Sequence, residues 1–240
     1  MRRLVAAREL LDGDLADSSV LDGNLRDLAR VNRRFGGTDL SIGAIRSLVE
    51  EARAHGVVVD ELRVLDVGTG AADIPVAIVR ARNPWRAARV TAVDSRREVL
   101  DAARRVNPAL ANRDDVELSL ADGRSLPYGD GAFDVAHASL VLHHLGEDDA
   151  MAFLRELARI GSLGVVVNDL QRGFPEWLGA WLVLHAMTRN RFTVHDGPLS
   201  VRRAYTRAEV ARLLDRAGLR SVAWHVGFAG HRWAVAAVRR

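Results

Sequence analysis

Three acids, Asp66, Asp94 and Asp122, follow one another at equal intervals of 28 residues. The first lies in Val64-Leu65-Asp66-Val67-Gly68-Thr69-Gly70-Ala71-Ala72-Asp73-Ile74-Pro75, an apolar run that meets two glycines and then a helix start. Glycines at a strand-to-helix turn let the backbone approach a ligand with no side chain in the way. The charges around the turn select the ligand's sign. A dinucleotide turn holds an anionic pyrophosphate on backbone amides, and Asp66 and Asp73 on either side would repel that anion. The third glycine of the dinucleotide pattern is also missing, since Ala72 stands in its place. The turn therefore reads as a site for a cationic ligand. A second constellation, the adjacent His143 and His144, offers imidazoles whose ordinary pKa suits proton removal near neutrality.

These residues need a scaffold that brings strand ends together. One βα unit takes about the length that separates the three acids. Residues 89–94 are a short β-rich run ending in Asp94, and residues 116–120 alternate as a strand and lead into Ala121-Asp122-Gly123. Residues 133–138 predict a fourth strand and residues 165–168 a fifth. Ser95-Arg96-Arg97-Glu98 reads as a capping box opening a helix that ends near Asn107-Pro108. Thr206-Arg207-Ala208-Glu209 repeats the device, with Gly218 as the stop. Two runs, 221–226 and 233–238, flank Gly227 and Gly230 and suit an antiparallel hairpin. Before the first strand, Leu21, Leu25, Leu28 and Phe35 fall at helical spacing, and Ser41 is placed to cap a second helix carrying Ile42, Ile45, Leu48 and Val49.

Residues 63–168 closely resemble the class I S-adenosylmethionine-dependent methyltransferases. Residues 64–75 are similar to motif I of that superfamily, and residues 131–145 to its fourth strand and the loop that follows. The resemblance implies a doubly wound, Rossmann-like α/β fold with a seven-stranded, mostly parallel sheet and an antiparallel C-terminal hairpin. It implies N-terminal helices over residues 1–60 and a methyltransferase domain over residues 61–240. The helices would form a lid over the cofactor or pack on the sheet edge. The implied cofactor is S-adenosylmethionine, with S-adenosylhomocysteine as product, and its sulfonium and ammonium groups suit the acids of the turn. The implied contacts are Asp66, Gly68, Thr69, Gly70 and Asp73 in motif I, Asp94 at the ribose hydroxyls and Ser95 beside the adenosine. Ala121, Asp122 and Gly123 fall at the adenine ring, and Ser139 ends the fourth strand. His143 and His144 would lie at the rim, as bases or as packing and capping groups.

The stretch between the fifth strand and the box at Thr206 is longer than a plain connection, and about 170–204 reads as a cap over the C-terminal edge of the sheet. Phe174, Trp177, Leu178, Trp181, Leu182 and Leu184 give it an apolar helix, followed by His195-Asp196-Gly197-Pro198. Trp177 and Trp181 either wall an acceptor pocket or anchor the cap. Asp169, Arg172 and His195 are the further acceptor contacts.

Several chemistries are excluded. The Asn/Asp-Pro-Pro-aromatic motif for base amines and glutamine amides is absent, and a chain without Cys has no nucleophile for cytosine C5. What remains is similar to small-molecule methyltransferases of the ubiquinone and polyketide type, which implies O-methylation of an aromatic or polyketide-like acceptor. RNA methylation is the alternative, and a non-catalytic S-adenosylmethionine-binding module is the reading from another class. All 34 basic residues are Arg, which raises the pI to 10.3 at a formal net charge of only +3. The charges are interspersed and form no basic stripe of the kind nucleic-acid binders carry, so a small molecule is the expected partner. No signal peptide or membrane span is read, and a cytoplasmic location is expected. No His/Asp/Glu cluster has ligand spacing, so no metal is expected. Oligomeric state is not written in the sequence.

Overall fold

The computed structural model describes residues 1–15 and 17–240. Seven strands, β1 (Glu61–Val67), β2 (Ala87–Asp94), β3 (Val116–Leu120), β4 (Phe133–Ser139), β5 (Gly161–Leu170), β6 (Leu219–Val226) and β7 (Arg232–Arg239), form one sheet in the order β3-β2-β1-β4-β5-β7-β6. The first five are parallel, and β7 runs antiparallel between β5 and β6. The expected doubly wound sheet with its C-terminal hairpin is the sheet observed.

Alternation along the central strands sorts the core into two layers. Leu65 and Val67 of β1 face one side, where they meet Phe153, Leu154 and Leu157 of α5 (Glu147–Ile160) and Leu213 of α8 (Arg207–Arg216). Val64 faces the other, against Ile45 and Leu48 of α2 (Gly37–Ala54) and Ile78 of α3 (Asp73–Arg80). By the same alternation Asp66 points toward α2. α1 (Ser18–Arg34) lies across α4 (Arg97–Val106), with Leu21 and Leu25 packed against Ala71 and Val99. Between β5 and α8 the chain forms a helix pair, α6 (Phe174–Met187) and α7 (Arg191–Arg203).

Two of the expected helix starts differ. α2 begins one turn before Ser41, with Gly36 at its cap in the left-handed region, so Ser41 is an interior, fully buried residue. The box at Ser95 does not form, because the helix starts one residue later with Arg96 at its cap and no side-chain cap bond; Asp94 Oδ1 accepts from the Arg96 amide at 3.0 Å. The box at Thr206 and Glu209 forms in both directions.

The strand order reverses beside β1, whose neighbours are β2 and β4. Ligands of open α/β sheets bind outside the strand C-termini at such a reversal. The register Val67 to Ala138 sets the glycine turn after β1 directly beside the histidine loop after β4.

Candidate active site

The turn after β1 is tightly built. Gly68 has φ +72°, and a side chain there would collide with Val141; Gly70 has φ +54°, and a Cβ there would rest in ordinary contact with Leu25. The amides of Gly68 and Thr69 both donate to the Val93 carbonyl, at 2.9 and 3.0 Å. The Thr69 hydroxyl is buried and has no partner within the protein. Asp94, at the end of β2, receives the Gly70 amide at 3.4 Å, and the Asn32 amide donates to Asp73 at 3.1 Å. Burial raises the carboxyl pKa of both Asp73 and Asp94. Ala121 donates its amide to the Asp94 carbonyl at 3.1 Å, which brings the loop after β3 alongside. A side chain on Gly123 would press on Val67 and Phe153.

Not every expected contact points into this space. Asp66 is turned to His137, whose Nδ1 lies 2.5 Å from its Oδ1. The Ser41 hydroxyl is 2.8 Å from His137 Nε2, and Asn168 donates to Ser41 at 2.7 Å. All four residues are buried, and the chain of donors ends on the one carboxylate, which an imidazole thus satisfies. Arg232 extends the network, donating to Asn168 at 2.6 Å, to Asn32 at 2.7 Å and to the Ser139 hydroxyl at 2.8 Å. Burial lowers its pKa to about 10, and each of these oxygens is neutral. Asp122 is exposed and clamped by Arg124, with the guanidinium 2.7 Å away, which holds its pKa below the ordinary value. Ser95 is exposed.

A short turn, Leu142–His144, follows β4. Asp169 at the end of β5 holds His143 twice, through the backbone amide at 3.0 Å and through Nδ1 at 2.8 Å. A carboxylate can only accept, so Nδ1 carries a proton and Nε2 is the nitrogen turned away from Asp169. Burial opposes ionisation of Asp169, yet the His143 imidazole and these bonds keep its pKa below the ordinary value. His144 Nδ1 lies 3.1 Å from Asp12. Residues near the N-terminus strap this turn down. Arg3 donates to the carbonyls of His143 and Leu145, Asp196 of α7 caps the amides of Leu10 and Leu11, and Arg203 of α7 reaches Glu9 and Asp12. Glu9 thereby faces both imidazoles, at 3.6 Å from His143 Nε2 and 3.8 Å from His144 Nε2. Burial pushes its carboxyl pKa up to about 7 against the opposing charges of His144 and Arg203. Folding thus assembles the His/His/Glu group that sequence spacing did not show, because Glu9 is remote in the chain from both histidines.

The expected acceptor contacts are redistributed. Asp169 serves His143. Arg172 is a structural clamp that donates to the carbonyls of Met1 and Ala204 and to Glu209. Trp177 stacks on Phe174 and Trp181 on His185 along α6. Trp181 and His195 line an open groove of about 660 Å³ with His185 and Arg189, and no residue of the glycine turn or the histidine loop borders it. Glu209 offers a direct check on the Arg172 clamp. Burial would raise its pKa, but bonds from Arg172 and Thr206 hold it at about 2. Its folded pKa is below the unfolded one, so its contribution is present above the ordinary carboxylate range and is lost as pH falls toward 2. Glu209→Gln is expected to cost about 1 kcal/mol at pH 7 after solvent screening, with the difference in urea midpoints closing as pH falls through 4.

The fold and its turns have known counterparts. Residues 64–162 match a family described as "Methyltransferase domain". A SAM-dependent methyltransferase from Aquifex aeolicus is similar in structure, with a TM-score of 0.58 at 20% identity over 90% of this chain and 97% of that one. Magnesium protoporphyrin IX methyltransferase from Synechocystis, with bound SAH, gives a TM-score of 0.56 at 16% identity over 95% of this chain and 90% of that one. In sequence, an uncharacterized 37.1 kDa protein in transposon TN4556 of Streptomyces fradiae is 28% identical over 210 residues, 84% of this chain. The chain spans about half the length of that curated relative, 52%.

Proposed function

From a chain that carries a methyltransferase domain on the class I fold, we propose that it moves the methyl group of S-adenosylmethionine to a small acceptor and releases S-adenosylhomocysteine. The observation that carries this reading is the turn itself. An unpartnered buried Thr69 hydroxyl sits on the turn whose Gly70 amide reaches Asp94 and whose helix opens at Asp73, so the residues present fit a ligand with cationic groups. Arg232 adds one buried guanidinium with only neutral partners among its hydrogen bonds, a match for the ligand's single carboxylate. When bound, the cofactor supplies a methyl group on a positively charged sulfur, a good electrophile.

In this reading Asp94 holds the ribose hydroxyls, and Gly68, Thr69 and Gly70 border the methionine end with Asp73, Ser139 and Arg232. Asp66 acts through His137 and Ser41, keeping the turn and α2 in register. Ala121 and Gly123 flank the adenine, with Ser95 and Asp122 at the open edge. The His143–His144 turn handles the acceptor proton, His143 through Nε2. Asp169 fixes its tautomer, as orienting carboxylates do for catalytic imidazoles. α1 and the strap of residues 1–15 form the lid, and an aromatic hydroxyl is the acceptor. A small-molecule acceptor agrees with the porphyrin named for the Synechocystis protein.

Calorimetric titration tests the cofactor: heat with S-adenosylmethionine and S-adenosylhomocysteine is expected, and binding of NAD with neither of these would overturn the reading. For the acceptor class, methyl incorporation into total RNA against a panel of phenols and polyketides is the comparison. RNA affinity that falls steeply with salt, about one decade in K per decade of salt for each phosphate neutralised, together with incorporation into RNA, would replace the small-molecule reading.

A further inference from the structure

We infer that Glu9, His143 and His144 form a binding site for one divalent transition-metal ion of the zinc class. Their ligand atoms lie within 4.8 Å of one another, and no other such group occurs among the described residues. The orientation of each imidazole is fixed from behind. His143 Nδ1 bonds Asp169 at 2.8 Å and His144 Nδ1 lies 3.1 Å from Asp12, so both present Nε2 to the same carboxylate, one to each oxygen. Carboxylates on the far nitrogen are how metal-ligating histidines are held in tautomer and direction. The front distances, 3.6 and 3.8 Å, exceed hydrogen-bond length. They are close to the edge of a tetrahedron with bonds of 2.0–2.1 Å, about 3.3–3.4 Å, so a small inward movement of Glu9 completes the geometry.

The donor set and charge balance agree. Two imidazoles and one carboxylate are a zinc-type set, with the fourth position left for water or a substrate oxygen. Three carboxylates, Glu9, Asp12 and Asp169, meet here. Two guanidiniums stand against them: Arg203, 3.3 Å from Glu9 and 2.9 Å from Asp12, and Arg3, bonded to the His143 carbonyl. Arg203 is the competing cation at Glu9, and an ion would share that carboxylate with it. His143 and Glu9 are buried while His144 is part-exposed, so the open position has an approach.

The use of the ion rests on the methyltransferase reading and deepens it. An acceptor hydroxyl in the fourth position gives up its proton to solvent more readily. Its oxygen lone pair then forms the bond to the methyl carbon as the sulfur–carbon bond breaks with its pair on sulfur. With the ion bound, His143 Nε2 is a ligand instead of the base, and the ion takes over the lowering of the acceptor's pKa while the proton passes to solvent.

The test is made on the full chain without any cofactor, so its failure leaves the methyltransferase reading standing. Chelator-treated protein is titrated with Co²⁺ and then Zn²⁺. One visible d–d band per chain, displaced by one Zn²⁺, is expected. Glu9→Gln and His144→Ala should weaken Zn²⁺ binding at least 10-fold, Asp12→Asn by about 10- to 100-fold as second partners do, and the exposed His55→Ala should change nothing. Far-UV circular dichroism identifies any variant that fails to fold, and Asp12→Asn keeps the comparison available in that case. No Co²⁺ band together with no Zn²⁺ competition against a micromolar chromophoric chelator would overturn the site. Unchanged affinity in folded Glu9→Gln and His144→Ala would do the same.

Discussion

His143→Ala is expected to lower kcat at neutral pH by roughly 10² to 10⁴, the range that removal of a proton-handling group costs, while leaving S-adenosylmethionine affinity within about twofold. The split follows from position. His143 sits in the turn after β4 with Nδ1 on Asp169, and neither it nor Asp169 bonds a residue of the glycine turn. Its loss should therefore register at the acceptor and not at the cofactor. The loss should shrink as pH approaches the acceptor's own pKa, where the hydroxyl ionises without help. Asp169→Asn should follow with a smaller loss, because an amide can present its oxygen or its NH₂ to Nδ1 and no longer fixes the tautomer. Stopped-assay methyl transfer across pH 6–10 is the measurement. If His143→Ala, His144→Ala and the double variant all turn over at the wild-type rate across that range, the pair is structural and positioning alone carries catalysis.

The second large effect is on cofactor affinity. Asp94→Ala is expected to weaken S-adenosylmethionine and S-adenosylhomocysteine binding alike by roughly 1.5 to 3 kcal/mol, the scale for removing hydrogen bonds to a charged group. Asp94 is well placed for this. Two backbone amides, of Gly70 and Arg96, hold its carboxylate at the edge of the turn, so it is preorganised. Asp122→Ala should cost less, since that carboxylate is exposed and already clamped by Arg124. Calorimetry on both variants gives the comparison. Equal losses at the two positions would show that Asp122 leaves Arg124 on binding and that the two acids share the adenosine.

What the sequence determined by itself is what local physics encodes. The glycine turn was legible because its left-handed backbone at Gly68 and Gly70 admits few residue types. The strands were legible from period-two and apolar runs, and the Thr206 box from side chains three residues apart that satisfy each other's backbone. The box at Ser95 is absent because the helix starts one residue later, with Arg96 at its cap, which takes Ser95 and Glu98 out of the box spacing. Tertiary structure alone decided which polar groups meet. Asp66 shares a face with α2 by simple alternation, yet only the folded sheet shows that His137 of β4 and Ser41 of α2 close on it. Arg172 and Asp169 flank the same strand end, but one is drawn to Glu209 and the other to His143. Glu9 faces His143 and His144 because α7, through Asp196 and Arg203, pins the N-terminal strap over the turn after β4. Side-chain partners so distant in sequence leave no periodic signal. A buried charge must be met by whatever the packing of separate elements brings within reach, and that is a property of the assembled fold.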